Sequence, residues 1–500
     1  MNNKQISNTL GKNKAKDFFS ACEKTINTSA IALAILSLGF CLLSTLLLWQ
    51  NSFDAAIKVC GIMVFALLVV FAYVTASHIR TDKIAIILLF ALSFVVLGGW
   101  NIICDIKPIN DYEVLIDGAK SIIDGEFASL AAQKDNYFYF YNFQIGYTFY
   151  LSVLLRLLGG SVVALKIVEL LVITCSNIVV YKIFRQFFSC EESFFAASLM
   201  VMNPYIFMGS GIINNQHISC LLCLLAFYIY LKAKKFIKYV FCGMLLAFSQ
   251  ALRPTTTVVL AAFVICSLLY GIFKKQKMVL FGTATILAAY VIAFNLIDLF
   301  FILSDLTPIG IKNTNPYFKL VLGLTDGGIT GQTTTSAYHT QLYYDLKAFN
   351  FDYEAYKEAA KEHLKTCFIE RRIRAEWIVG KMVNFSGGID NQYSYANEAF
   401  NANHSFFVGI LNVAGTLLYF ASLLFSFVKA CAERKPIRNK AYMLCILVFG
   451  LFFFAYVFLE TQTRYRYEQY YMLFLISMPV FYKTIQKIHL KIKEIKQEQN

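Results

Sequence analysis

The chain is short of charge. Asp, Glu, Lys and Arg make up 15% of its 500 residues, against about 25% in a soluble globular protein. Hydrophobic residues reach 58% and aromatics 16%, and mean hydropathy is +0.57, which excludes an ordinary soluble domain. Also missing are a fixed-period repeat, a low-complexity tract and a small-residue cleavage site after the first apolar segment. Without a repeat, the internal symmetry of many transporters is not visible. Without a cleavage site, residues 30–49, too long for a signal-peptide core, read as an uncleaved anchor.

Cysteine is present (13 residues) but its motifs are incomplete. Most cysteines fall in apolar segments, where they pack as small hydrophobes. Cys220 and Cys223 form a C-x-x-C with no matching pair, so metal or redox chemistry there lacks its partners. Cys104 and Cys367 fall in two long polar regions and could pair.

What the chain has instead is apolar runs of about 18–25 residues, long enough to cross a hydrocarbon layer of about 30 Å as helices. The expected fold class is an all-α polytopic membrane protein with about twelve spanning helices: 30–49, 59–77, 83–100, 162–182, 193–211, 216–232, 239–252, 256–273, 279–303, 405–428, 441–459 and 469–485. The segment 143–158 is apolar enough to span, but counting it would invert the basic loop that follows 162–182. It reads as an interfacial helix. Pro254 should break the short helix 239–252 at Arg253, at the outer membrane boundary.

The net charge of +14 is informative through its placement. Twenty-six of the 45 Lys and Arg lie in seven short stretches: 1–28, 77–83, 182–192, 232–238, 274–277, 429–440 and 483–500. Basic residues in short loops mark the cytoplasmic side. Assigning all seven to the cytoplasm gives consistent alternation, with both termini inside and the regions 101–161 and 304–404 outside. Charge dispersed over loops is a poor nucleic-acid footprint. The expected organisation is a cytoplasmic N-terminus with two added helices (1–82), a core (83–303) with its outside loop 101–161, an outside domain (304–404), and C-terminal helices with a basic tail (405–500). Frequent Lys, Asn, Ile and Phe suggest an AT-rich bacterial genome, hence a plasma-membrane location.

Two stretches carry candidate chemistry. In "INDYEVLIDGAKSIIDGEF" Leu115, Ala119, Ile122 and Ile123 recur at helical spacing and Gly125 suits a helix C-terminus. Asn110 with Glu113 three residues later resembles a capping box, and Asp111 would then only favour the helix N-terminus. Alternatively Asp111 at the outer surface is a base for a bound hydroxyl. The D-x-E pair Asp111 and Glu113 could share a divalent metal only from irregular backbone, because residues two apart on a helix diverge. The second stretch, "FLETQTRYRYEQYY", puts Glu460, Arg464, Arg466 and Glu468 between two apolar helices. It is either an interfacial aromatic and arginine belt or a site where Arg464, with Arg253 as a second candidate, grips a lipid phosphate.

An acidic residue early in the first outside loop, the aromatic run "YFYFYNFQIGYTFYLSVLLRLLGG" and a late "ETQTRYRY" loop occur in an order that resembles the GT-C superfamily of polyprenyl-phosphate-sugar-dependent glycosyltransferases. The chain looks similar to bacterial homologues of protein O-mannosyltransferases and aminoarabinose transferases over roughly 83–485. The resemblance implies a GT-C-like bundle with juxtamembrane helices in two long outside loops. It implies Asp111 as catalytic base, juxtamembrane helices over 137–158 with Tyr139 among their aromatics, and substrate contacts from Glu460, Gln462, Arg464 and Tyr465. It implies a polyprenyl-phosphate-linked sugar donor and a glycan or lipid acceptor; no cofactor is expected, with a divalent metal as the alternative. The chain departs from the family where Asn142 and Phe143 replace frequent prolines, and where "IINNQHIS" lacks an acidic residue, leaving Asn215 and His217 as stand-ins. A flippase or transporter of lipid-linked saccharides is the alternative.

Overall fold

The structure, a computed structural model, describes residues 3–49, 53–312, 316–324, 349–350, 352–369, 375–400 and 404–498. Every regular element among them is helical. The protein is an all-α polytopic membrane protein, as the apolar runs require.

Eight of the expected crossings coincide with helices long and apolar enough to span: Phe19–Trp49, Ala55–Ser77, Asp82–Ile103, Val162–Phe184, Thr256–Phe273, Lys277–Leu303, Ser405–Ala432 and Lys440–Phe458. The other four fall on elements of different kinds. Asn215–Leu231 and Phe236–Leu252 are apolar but have 17 residues each. The segment 193–211 is interrupted: Cys190–Val201 ends, Asn203 is extended, and Pro204 opens a separate short helix to Phe207. Proline disfavours helical backbone in the residue before it and suits the first position of a new helix. The segment 469–485 belongs to the 32-residue helix Tyr467–Glu498, which runs on into the basic tail.

The region 101–161, expected outside, forms the helix Asp111–Asp124, a short aromatic turn Tyr137–Phe140, and a helix Ile145–Leu157 where the sequence predicts an interfacial one. They share a small core of Leu115, Ile116, Ala119, Phe127, Phe138 and Leu151. Two glycines set its tightness. A Cβ on Gly118 would lie 2.3 Å from the Phe138 ring, and one on Gly146 2.0 Å from the carbonyl oxygen of Ala251. Both lack of side chain and close approach are therefore required there. Asn142, where a proline is frequent in the resembled family, is fully buried; its amide donates to the carbonyls of Gly310 (3.0 Å) and Lys312 (2.5 Å). A side-chain amide thus ties this region to the segment after the Lys277–Leu303 crossing, a bond that proline cannot make.

The region 304–404 contributes Pro316–Leu324, Tyr353–Ile369, Ala375–Gly387 and Asn391–Ala399. Tyr356 and Ala360 are buried against Val321, with Leu364 beside them. The Cys367 side chain and most of "LTDGGITGQTTTSAYH" lie outside the described residues. Cys104 is buried, and its pairing with Cys367 lies outside the described residues.

Arg466 staples this region to the late loop 459–466. Its side chain is 1% exposed and donates to the carbonyls of Thr463, Ser386 and Gly388 (each 3.1 Å) and to the Asp390 carboxylate at 3.2 Å. Asp390 also accepts from the Tyr470 hydroxyl at 2.7 Å and from the Gln392 backbone N–H. A buried ion pair persists only when its remaining hydrogen-bonding capacity is filled in this way. One of the two arginines in "TRYRY" is therefore structural.

Candidate functional site

Helix Asp111–Asp124 buries Tyr112, Leu115, Ile116 and Ala119, the i, i+3, i+4, i+7 stripe of an amphipathic helix. Gly125 ends it with φ 79°, as the sequence suggests. The expected capping box is not formed. Asn110 occupies the N-cap position with φ 50° and ψ −129°, and its side chain makes no cap bond. An N-cap side chain reaches back from extended backbone, which Asn110 does not have; its carbonyl instead accepts from Glu113 N–H at 3.1 Å and Val114 N–H at 3.2 Å. Glu113 is exposed and its capping role lapses. The D-x-E pair sits on regular helix, where Asp111 and Glu113 diverge, so the irregular backbone that a shared ion would need is absent.

Asp111 is half-exposed, with its Oδ2 3.8 Å from Arg464 Nη2. Arg464 itself is held from several directions. Its Nη1 donates to the hydroxyls of Tyr112 (2.6 Å) and Tyr395 (3.2 Å). Its guanidinium lies 5.5 Å from the centre of the Tyr112 ring and 5.7 Å from that of Tyr465, within cation–π range. Its backbone carbonyl accepts from Gln216 Nε2 at 2.8 Å, which pins the late loop to the start of helix Asn215–Leu231.

Arg253 stands where the proline rule put it, extended after helix Phe236–Leu252. It shares an aromatic neighbour with Arg464, its guanidinium also lying 5.7 Å from the Tyr465 ring centre. Its donors are committed elsewhere. Nη1 bonds Asn215 Oδ1 at 2.9 Å, and Nε bonds Thr255 at 3.0 Å and sits 3.0 Å from Glu468 Oε1. Both members of the Arg253–Glu468 pair are buried. Arg464 is thus the better placed of the two arginines to meet a ligand anion.

The remaining candidates divide between the two groups. Glu460 is buried and paired with Lys319, and Gln462 Nε2 donates to it at 2.9 Å. Burial opposes the charge of Lys319, but Glu460 and the neighbouring Tyr465 and Tyr141 outweigh it and raise the lysine pKa above its usual value. Glu460 therefore braces the late loop against helix Pro316–Leu324. Asn215 bridges Arg253, Gln144 (3.1 Å) and the Leu252 carbonyl (3.2 Å). His217 is buried with Nδ1 2.7 Å from Glu169 Oε2, and Tyr147 donates to the same carboxylate at 3.0 Å. Tyr139 packs on Tyr353, ring centres 5.1 Å apart, away from Arg464. Tyr137 and Tyr141 are the aromatics that feel Asp111. Burial lifts the Tyr137 phenol well above its ordinary pKa, reinforced by the Asp111 carboxylate. Burial also lifts Tyr141, with Lys319 opposing and Asp111 reinforcing. Both remain neutral O–H donors beside the carboxylate.

Tyr112, Tyr395, Lys319 and Glu169 are the residues that sequence reasoning did not single out. Tyr112 was findable, because it continues the buried stripe of Leu115 and Ala119. Tyr395 and Lys319 come from the region 304–404 and carry no local signal. The assembled site has an accessible carboxylate beside a guanidinium whose position is fixed by two phenols, an arrangement suited to base chemistry next to a phosphate.

Comparison with curated proteins returns no match. Residues 145–297 match the family model for dolichyl-phosphate-mannose-protein mannosyltransferase. The matched segment runs from the interfacial helix into the Lys277–Leu303 crossing and contains Asn215, His217 and Arg253, while Asp111 and Arg464 lie on either side of it. That family belongs to the GT-C superfamily, and the match supports the resemblance drawn from the motifs: a membrane glycosyltransferase that uses a lipid-linked sugar donor.

Proposed function

We propose that the protein transfers a sugar from a polyprenyl phosphate to an acceptor hydroxyl at the outer membrane surface, with inversion at the anomeric carbon. The observation that carries this is the Asp111–Arg464 approach of 3.8 Å, with Arg464 anchored by Tyr112 and Tyr395.

Asp111 accepts the proton of the acceptor hydroxyl as its oxygen attacks the anomeric carbon. The bond from that carbon to the donor phosphate oxygen breaks, and its electron pair leaves on the phosphate. Arg464 meets this developing charge, an electrostatic contribution of the kind that dominates many enzymes. At 3.8 Å the contact between Asp111 and Arg464 is too long for a strong hydrogen bond, so an incoming phosphate can replace it without breaking an optimal pair. Arg253, neutralised by Glu468, shapes the wall around Tyr465. With Asp111 acting as base and not as nucleophile, the displacement is single and inverts the anomeric carbon. Surface polysaccharide, teichoic acid or glycolipid is the proposed acceptor class, and the plasma membrane of a bacterium the proposed location.

One observation favours the transporter alternative: the buried Glu169–His217 pair in a spanning helix, since intramembrane ionisable groups often mark transport paths. The same experiment decides between them. The detergent-solubilised full chain is incubated with a panel of radiolabelled polyprenyl-phosphate sugars and membrane, cell-wall and glycolipid acceptors. Label in an acceptor fraction supports transfer. Movement of intact donor across proteoliposomes, with no labelled acceptor in detergent, overturns it.

A further inference from the structure

The cavity of about 570 Å³ at the opposite end of the bundle from Asp111 is not used by the proposed reaction. It opens between the ends of helices Val162–Phe184 and Lys440–Phe458 and the C-terminal helix Tyr467–Glu498. Arg464 precedes that last helix, and Lys483 lies sixteen residues into it, about 24 Å further along, close to the thickness of a hydrocarbon layer. The cavity is therefore at the membrane surface that carries the basic loops.

Its wall is apolar, with Phe184, Phe187 and Phe188 on one side and Leu475, Ile476 and Val480 on the other. Its charged lining consists of Lys429, Lys483 and Lys487, and no carboxylate is among the lining residues. Lys429 has Glu433 at 2.9 Å and Lys483 has Glu192 at 3.9 Å. Lys487 has no ion-pair partner among the described residues and is exposed. Three cations above an aromatic and aliphatic wall, at bilayer depth, complement a molecule with one anionic head and a hydrocarbon body. A water-soluble phosphate would leave the wall unsatisfied, and a zwitterionic lipid would bring no net charge to the lysines.

We propose that this cleft binds one anionic glycerophospholipid of the inner leaflet, its headgroup phosphate among Lys429, Lys483 and Lys487 and an acyl chain against the phenylalanine wall. Basic pockets between spanning helices on the cytoplasmic side hold anionic headgroups for this reason, and the volume is within the ~300–1,000 Å³ typical of ligand sites.

The test is native mass spectrometry of the full chain released from neutral detergent, with phosphatidylglycerol or phosphatidylcholine of matched acyl chains added. The parent protein is expected to retain one phosphatidylglycerol in preference. Lys483→Gln with Lys487→Gln, both on exposed positions, is expected to weaken that retention about tenfold or more. Thr484→Trp, which fills the cleft while leaving every lysine, is expected to weaken it as well. Lys491→Gln with Lys493→Gln removes the same charge from the same helix beyond the cavity and is expected to change little. Equal retention of the two lipids, an equal loss in the control pair, or unchanged retention in Thr484→Trp would each overturn the site.

Discussion

The hydroxyl of Tyr112 and the guanidinium of Arg464, 352 positions apart in the chain, meet at 2.6 Å. This bond joins the start of the region 101–161 to the late loop 459–466. It brings Asp111, the immediate neighbour of Tyr112, to the edge of the arginine.

Tyr112→Phe keeps the ring and removes the acceptor. A hydrogen bond to a charged group contributes about 1.5–3 kcal/mol, so kcat/KM for the lipid-linked donor is expected to fall roughly tenfold to a hundredfold. The loss should fall on donor use, with acceptor KM unchanged. Steady-state kinetics with each substrate varied in turn would check it, and an unchanged donor kcat/KM would remove Tyr112 from the site.

Asp111→Asn leaves the helix start intact, because Asp111 makes no cap bond. Its kcat is expected to drop by about 10²–10⁴, the usual contribution of a general base, with thermal unfolding unchanged. Glu113→Gln, on the exposed face two residues on, is expected to retain near-parent activity. Substantial turnover by Asp111→Asn would refute the base assignment.

Arg253 and Glu468 make a different kind of prediction. Arg253→Met leaves a carboxylate buried beside an apolar side chain and is expected to cost about 3–5 kcal/mol of stability. Arg253→Met combined with Glu468→Leu removes both charges and is expected to recover most of that loss. Unfolding curves of the single and double variants in one detergent give the coupling directly. If instead the single variant keeps parental stability and loses donor binding, Arg253 is a phosphate ligand and not a structural cation.

Lys381 predicts a pH dependence. It is 6% exposed, and its Nζ donates to the carbonyls of Gly323 (2.8 Å), Val457 (2.9 Å) and Leu459 (3.0 Å). Burial pushes its pKa down to about 7, against about 10.4 for an unfolded lysine. Between these values the unfolded chain binds a proton that the folded chain has released, so folding stability rises with pH across that window. Below about pH 7 both states are protonated and this contribution stops changing. Midpoints measured from pH 6 to 9 should climb for the parent and climb less for Lys381→Met. Identical slopes would show that Lys381 stays charged throughout.

The amino-acid sequence by itself determined the class of protein. Long apolar runs cannot be solvated by water, so they require a membrane, and in a membrane helices satisfy their own backbone groups. It also determined the local break at Arg253, because proline acts on its immediate neighbours; the same rule interrupts 193–211 at Pro204, a segment expected as one crossing. It singled out Asp111 and Arg464 as candidates through charge placed beside apolar helices, where an ionised group is costly and therefore conspicuous. It named Arg464 for the phosphate but gave no physical ground for setting Arg466, two residues on in the same motif, apart from it. Tertiary structure decided that, by burying Arg466 among three carbonyls and Asp390 while leaving Arg464 beside Asp111. Nor could it foresee that Asn110 would fail as a cap, or that Arg253 would be neutralised by Glu468. A residue's role follows from which partners reach it. Those partners come from segments up to hundreds of residues away, through contacts that have no local signature.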